Sequence, residues 1–433
     1  MKNRVLITLL AFFVLPFFLC SGSCSKEPTG YIIPGPNTGN NSSGDKGNNT
    51  GSNTGDNTGS NTGDNTSGNT GGNTSGNTGG NTGGETPAGT LCTDIGQTPV
   101  VVAYYTEYSK DVPDAKLLTH VNYAHGRFVN PKTGDGGITI AEPSLLKKVV
   151  ALKKDYPHLK VLLMIGGWGS HADGFSMMAR DPAKRTLFCK ECKKHIDNYG
   201  LDGIDIDWEY PTYAAEGNGA SPDDKANFVL VLKELRETIG TDKLITFASS
   251  SSAGYMNWKD AIKYIDYVNV MTYDMGRPPE RHNSPLYRSA RFSQTSDDEA
   301  IDKHVSAGIP KERLVLGVPF YGKSDKDDGT YSDEVKFNEM DEILTKGTYK
   351  GKSVAGKNIR YWDPVAKVPY LGDAAGKNYL SYDDAESVAE KGKYVAQKGI
   401  LGAMFWEYRH DDSNHTLLKS LVTAMYGQES VIQ

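Results

Sequence analysis

Cysteine is scarce, with five in 433 residues. Cys20 and Cys24 fall in the N-terminal segment discussed below. Cys92, Cys189 and Cys192 are too few for a disulfide framework. Cys189, Cys192 and His195 share a helical spacing, but a CxxC signals zinc only beside a second pair, and none exists. Phe188, Cys192, Ile196 and Tyr199 form a helical apolar stripe, which predicts structural thiols first, a disulfide second and a metal last. A dense block of basic charge is also lacking. Net charge is −6, with Lys and Arg spread along the chain, so nucleic acid is not an expected partner. Aromatic rings are not scarce. Tyr occurs 24 times, which suits stacking on sugar rings, although core packing accounts for most of them.

One hydrophobic run stands out, residues 5–19, preceded by Lys2 and Arg4. It is shorter than the roughly 20 residues a spanning helix needs and is broken by Pro16, which predicts a secretory signal over residues 1–23. The SGSC stretch ending at Cys24 resembles a bacterial lipoprotein processing site, with Cys24 acylated; Cys20, after bulky Leu19, is the weaker candidate. The following CSKEP resembles the tag that sends some lipoproteins to the outer-membrane surface. The expectation is an exported protein held to a membrane only by this anchor, with plain secretion as the alternative. From about 37 to 86, repeats of Asn, Thr, Gly, Ser and Asp contain no apolar side chain and predict a disordered tether within residues 24–90. A Gly-rich coil of roughly 50 residues spans on the order of 40 Å.

From residue 99 to about 427 the pattern changes. Short apolar stretches at 101–105, 120–126, 160–168, 203–210, 243–251, 267–275, 313–322 and 399–408 read as strands. Helical patterns at 143–156, 181–200, 223–240, near 297–307 and at 383–398 lie between them. This alternation predicts an α/β (β/α)₈ barrel, with an open doubly wound sheet as the alternative. No Gly-rich phosphate loop follows the first strand, which argues against the nucleotide-binding versions of that sheet. Residues 323–382 are too long for an ordinary βα loop and predict an inserted subdomain on the C-terminal face of the barrel, where active sites lie.

The stretch DGIDIDWEYP, 202–211, concentrates acids in an otherwise apolar strand. Alternation puts Asp205, Asp207 and Glu209 on one face, with Ile204, Ile206 and Trp208 toward the covering helices. Carboxylates about 7 Å apart on one strand face repel one another, so at least one keeps its proton near neutrality. Glu209, farthest toward the barrel mouth, is placed to act as a general acid. A calcium loop would need a turn glycine and flexible polar neighbours in place of Ile and Trp.

DGIDIDWEY resembles the signature Asp-x-x-Asp-x-Asp-x-Glu of family 18 glycoside hydrolases, the chitinase family. VLLMIGGW (161–168), VNVMTYDM (268–275), SPLY (284–287), GVPFYG (317–322) and MFWEY (404–408) follow in the expected order. YWDPVAKVPYL (361–371) resembles part of that family's insertion domain. The resemblance implies a monomeric retaining endo-chitinase that needs no cofactor or metal and acts on chitin or other N-acetylglucosamine-containing glycans. Glu209 would protonate the leaving oxygen, and the substrate's acetamido carbonyl would be the nucleophile. Asp207 would orient the acetamido N–H, with Asp205 behind it and Asp202 supporting the motif. Tyr273 would bond the acetamido oxygen. Tyr104 would support Asp205, Trp406 would floor the sugar, and Asp274, Met271, Tyr321 and Trp168 would line the cleft.

Three positions depart from the family pattern. Met164 stands where a Ser usually bonds the innermost Asp, which predicts that Asp205 loses a partner and that the pH optimum shifts. His125 replaces a usual Phe and reads first as a satisfied core residue, with a binding role open. Lys323 replaces an Arg, predicting a weaker sugar contact. Two rival functions remain: an endo-β-N-acetylglucosaminidase acting on N-glycans, and a glycan-binding protein without catalysis.

Overall fold

The computed structural model describes residues 91–432, apart from 93, 215–218 and 293. The export segment, Cys24 and the tether lie outside the described residues. Eight parallel strands form the centre: β1 (Val100–Thr106), β2 (His120–Phe128), β3 (Lys160–Gly167), β4 (Gly203–Trp208), β5 (Leu244–Ser250), β6 (Tyr267–Met271), β7 (Leu314–Pro319) and β8 (Gly402–Trp406). Each pairs with its neighbours in order, and β8 pairs with β1, so the sheet closes. The expected (β/α)₈ barrel is present. A short strand, Ile138–Ile140, adds an antiparallel partner beside β2.

Local chemistry sets the helix ends. Asp181 caps the helix Pro182–Tyr199 by accepting from the backbone N–H of Ala183 and Lys184, and Gly200 ends it at φ 70°. Ser296 and Glu299 form a capping box on Asp297–Ser306. The main core lies between barrel and helices. There Trp208 stacks on Phe175 with ring centroids 5.3 Å apart and meets Phe228 edge-on. Cys189 and Cys192 are buried free thiols in this layer, and His195 bonds the carbonyl of Ile138. A smaller interior cluster, including Tyr104, Leu162, Met164, Val315 and Met404, fills the barrel itself.

The stretch expected as one strand over 313–322 is two. β7 ends at Pro319, Phe320 donates its N–H to the carbonyl of Trp406, and its ring stacks on Phe405 at 4.3 Å. Tyr321 then starts a second sheet. That sheet is antiparallel, in the order Glu334–Lys336, Tyr321–Ser324, Asn378–Ser381, Val368–Gly372, Ile359–Asp363. With the helix Met340–Lys346 it encloses a core of its own around Val335, Ile343 and Leu380. Buried charge secures its return to the barrel. Lys391 is fully enclosed and pairs with Asp383 at 2.9 Å and Asp297 at 3.5 Å. Removing one partner of such a set would leave an uncompensated buried charge.

Phe175 supports the outer face of the acid-bearing strand β4. Phe175→Ala is expected to lower the unfolding free energy by about 3–5 kcal/mol, measured by urea denaturation. A loss under 1 kcal/mol would mean that the Trp208 layer is not under tight packing.

Candidate active site

The strand pleat divides β4 as the alternation predicts. Ile204, Ile206 and Trp208 pack outward, and Asp205 and Asp207 point into the barrel. Glu209 follows the last strand residue, at the mouth. Close approach of β3 depends on Gly166, at φ 110°, where a side chain would run into the Asp207 carbonyl. Asp202 is not part of this group. At the opposite end of the strand it pairs with Lys153 at 2.7 Å and accepts the N–H of Val161. It joins β3 to β4 structurally.

Asp205 is completely buried and accepts three hydrogen bonds, from Tyr104 hydroxyl at 2.9 Å, Asn269 Nδ2 at 3.1 Å and the Thr246 hydroxyl. Met164 lies beside it in register and, as a thioether, donates nothing. The bond a Ser would make there is therefore missing, as the sequence implies, and β1, β5 and β6 supply the donors that hold Asp205. Burial still lifts this acid to about 6 against the pull of those donors. Asp207 has no such support. Burial, then the charges of Glu209 and Asp205, push it far above the usual carboxylate range, and its Oδ1 has no partner among the described residues. Burial raises Glu209 to about 7, with Asp274 adding to the effect and Tyr210 opposing it. At neutral pH these carboxyl groups retain protons between them and titrate as a set.

The acids open into a cleft of about 1250 Å³, beyond the ~300–1,000 Å³ of an ordinary small-molecule pocket. Tyr104, Trp168, Met271, Tyr273, Asp274, Tyr321 and Trp406 all line it, so the structure brings these sequence candidates together. The Trp406 ring sits 5.6 Å from Tyr104. The Tyr273 hydroxyl has the Met404 sulfur, at 3.9 Å, as its hydrogen-bond partner among the described residues, and burial keeps it protonated. Tyr321 donates to Asp274 Oδ1 at 2.9 Å. Lys323 also lines the cleft and pairs with the same oxygen at 3.3 Å, across the seam with the second sheet.

Several contributors were not found from sequence. Asn283 is buried, accepts the Asp274 N–H and donates to the Tyr321 carbonyl, tying the β6 loop to the second sheet. On the opposite wall Tyr210 stacks on Tyr255 at 4.6 Å, with exposed Tyr213 and Trp168 alongside. Trp168 is 51% exposed, which settles its choice between packing and lining in favour of lining. His125 is both anchored and lining: Nδ1 lies 2.7 Å from Glu107, and the ring faces the cleft.

Glu209 ordinarily titrates near 4.5 and here near 7, so the folded state binds the extra proton. Its contribution to stability is complete below pH 4.5 and is lost as pH rises through 7. Glu209→Gln removes that dependence. The variant is expected to gain on the wild type between pH 4.5 and 8, by up to about 3 kcal/mol, in denaturant titrations at each pH. A pH-independent difference would contradict the raised pKa.

Residues 100–411 match the family model for glycosyl hydrolases family 18. Chitinase A1 of Niallia circulans is 32% identical, over 76% of this chain and 57% of its own length. Chitinase B of Serratia marcescens is 28% identical, over 71% of this chain and 76% of that protein. A family 18 N-acetylglucosaminidase from Paenibacillus barengoltzii has a TM-score of 0.64 at 32% identity, covering 75% of this chain and 99% of that one. The Ostrinia furnacalis Group IV chitinase in complex with allosamidin scores 0.65 at 28% identity, covering 76% and 99%. The chain thus spans a little over half the length of the Niallia relative and most of the others. On the strength of the match over its barrel, it belongs to glycosyl hydrolase family 18.

Proposed function

We propose that this chain is a retaining, endo-acting chitinase that cleaves β-1,4-linked N-acetylglucosamine with the substrate's own acetamido group as nucleophile. One observation carries the reading. Glu209 is held protonated to about pH 7 at the mouth of the barrel, above an Asp207 that burial and its acidic neighbours raise well above the usual carboxylate range. With an acid in place, membership of family 18 implies attack by the substrate's acetamido carbonyl oxygen on the anomeric carbon. This departs from the two-carboxylate scheme of most glycosidases.

As the bond from the anomeric carbon to the leaving oxygen breaks, Glu209 transfers its proton to that oxygen and an oxazolinium ion forms. Asp207 presents its unpartnered Oδ1 to the acetamido N–H, sharing its proton with its acidic neighbours. Asp205, fixed by Tyr104, Asn269 and Thr246, balances it from below. The Tyr273 hydroxyl, free of a strong acceptor, donates to the acetamido oxygen. Glu209, now a carboxylate, takes a proton from water attacking the anomeric carbon, and the configuration is retained. Trp406 floors the reacting sugar, and the Trp168, Tyr210, Tyr213 and Tyr255 wall offers stacking faces to its neighbours. A cleft of about 1250 Å³ with walls on two sides favours action within a chain.

Products from chitin hexasaccharide and from an N-glycoprotein, read by mass spectrometry, test this. Dimers and trimers from hexasaccharide are expected, and Glu209→Gln should lower kcat/KM by about 10²–10⁴-fold. Monomer alone would replace endo action by release of single N-acetylglucosamine units. Release of N-glycans alone would change the substrate, and binding without cleavage would remove catalysis.

A further inference from the structure

Beside Trp406, the cleft floor continues as two imidazoles rather than as hydrocarbon. His125 ends the inward face of β2, its ring 6.3 Å from Trp406 on one side and 4.5 Å from His171 on the other. Glu107, in the loop after β1, receives His125 Nδ1 at 2.7 Å on one oxygen and Arg127 on the other. Burial opposes the charge on Glu107, but His125 and Arg127 outweigh it and hold this acid down to about 2. It is a carboxylate at working pH, with both oxygens engaged.

That arrangement fixes the imidazole. An ionised carboxylate only accepts, so Nδ1 carries the proton. In the neutral ring Nε2 is then a bare acceptor, and it has no partner among the described residues. His171, held neutral first by burial, shields one face. Gly167 leaves both rings close to the β3 backbone, within about 3.5 Å of where a side chain would begin. A carboxylate–imidazole pair this enclosed, with exposures of 4% and 7%, orients a ring rather than merely filling space.

We propose that His125 is a specificity-determining residue: its Nε2 accepts a hydrogen bond from a hydroxyl of the N-acetylglucosamine unit seated next to Trp406, with Glu107 as the positioning residue that sets the tautomer. A phenyl ring at this place offers stacking but no acceptor. The acceptor favours O–H and acetamido N–H groups and disfavours a sugar bearing a carboxylate, which would meet the Nε2 lone pair with Glu107 behind it.

The proposal rests on the chitin-oligomer reading, and its test separates the two. His125→Phe and His125→Gln are compared with wild type on chitin hexasaccharide, after thermal melting shows both folded. His125→Phe is expected to raise KM about three- to tenfold with kcat within twofold, the size of one neutral hydrogen bond. His125→Gln, whose amide oxygen reaches the Nε2 position, should stay within about twofold of wild-type KM. Equal behaviour of Phe and Gln, or a fall in kcat with KM unchanged, would overturn the role of Nε2. Calorimetric titration of the same oligomer into Glu209→Gln, alone and combined with each His125 change, repeats the contrast without turnover. Wild type that binds but does not cut would end the catalytic reading while leaving this contrast to decide His125. Should either variant fail to fold, Glu107→Ala decides. It removes the acceptor that holds the proton on Nδ1, so an affinity more than threefold weaker supports tautomer control by Glu107, and unchanged affinity contradicts it.

Discussion

Ionising three carboxyl groups in a space that water barely enters is the constraint on which this site depends. Asp205, Asp207 and Glu209 lie on one strand face, and each is pushed up first by burial. Their mutual repulsion adds to that cost and has little solvent to screen it. The barrel answers at one end only. Asp205, deepest, receives donors from three other strands, Asp207 has an unpartnered Oδ1, and Glu209 has Tyr210 to oppose its rise. The result is a gradient of exposure, from a supported anion inside to a proton donor at the mouth.

The remaining architecture keeps that gradient in place. Outside the barrel, Trp208 is clamped between Phe175 and Phe228, so β4 cannot slide without breaking this aromatic packing. Toward the cleft, Asn283, Tyr321 and Lys323 bind the β6 loop, with Tyr273 and Asp274, to the second sheet. The buried Lys391 cluster secures the return of that sheet to the barrel. One wall of the cleft is thus rigid by ion pairing and the other, around Tyr210 and Tyr255, by stacking.

Much of this was legible from local pattern. A period of two in DIDWE determines which residues face inward, and the alternation of apolar strands with helices determines the closed barrel. What escaped depends on register and on distant pairing. Met164 as a lost partner and Tyr104 as a support of Asp205 were both visible, but Thr246 and Asn269 donate from strands whose stagger no short motif reveals. His125 and Glu107 are 18 positions apart, and only the β1–β2 pairing makes them neighbours. Asp202 belonged to the motif by spacing, yet its position at the far end of β4 gives it a structural partner, Lys153. The break at Phe320 was hidden within a continuous apolar run, which carries no mark of where one sheet hands over to another.

The most direct test of the account is the pH dependence of kcat/KM on chitin hexasaccharide between pH 4 and 9. A Glu209 that keeps its proton to about 7 predicts an alkaline limb centred near that pH, with activity falling above it. Activity that stays level or rises through pH 8 would show that no buried acid of this kind donates the proton, and would contradict the central claim.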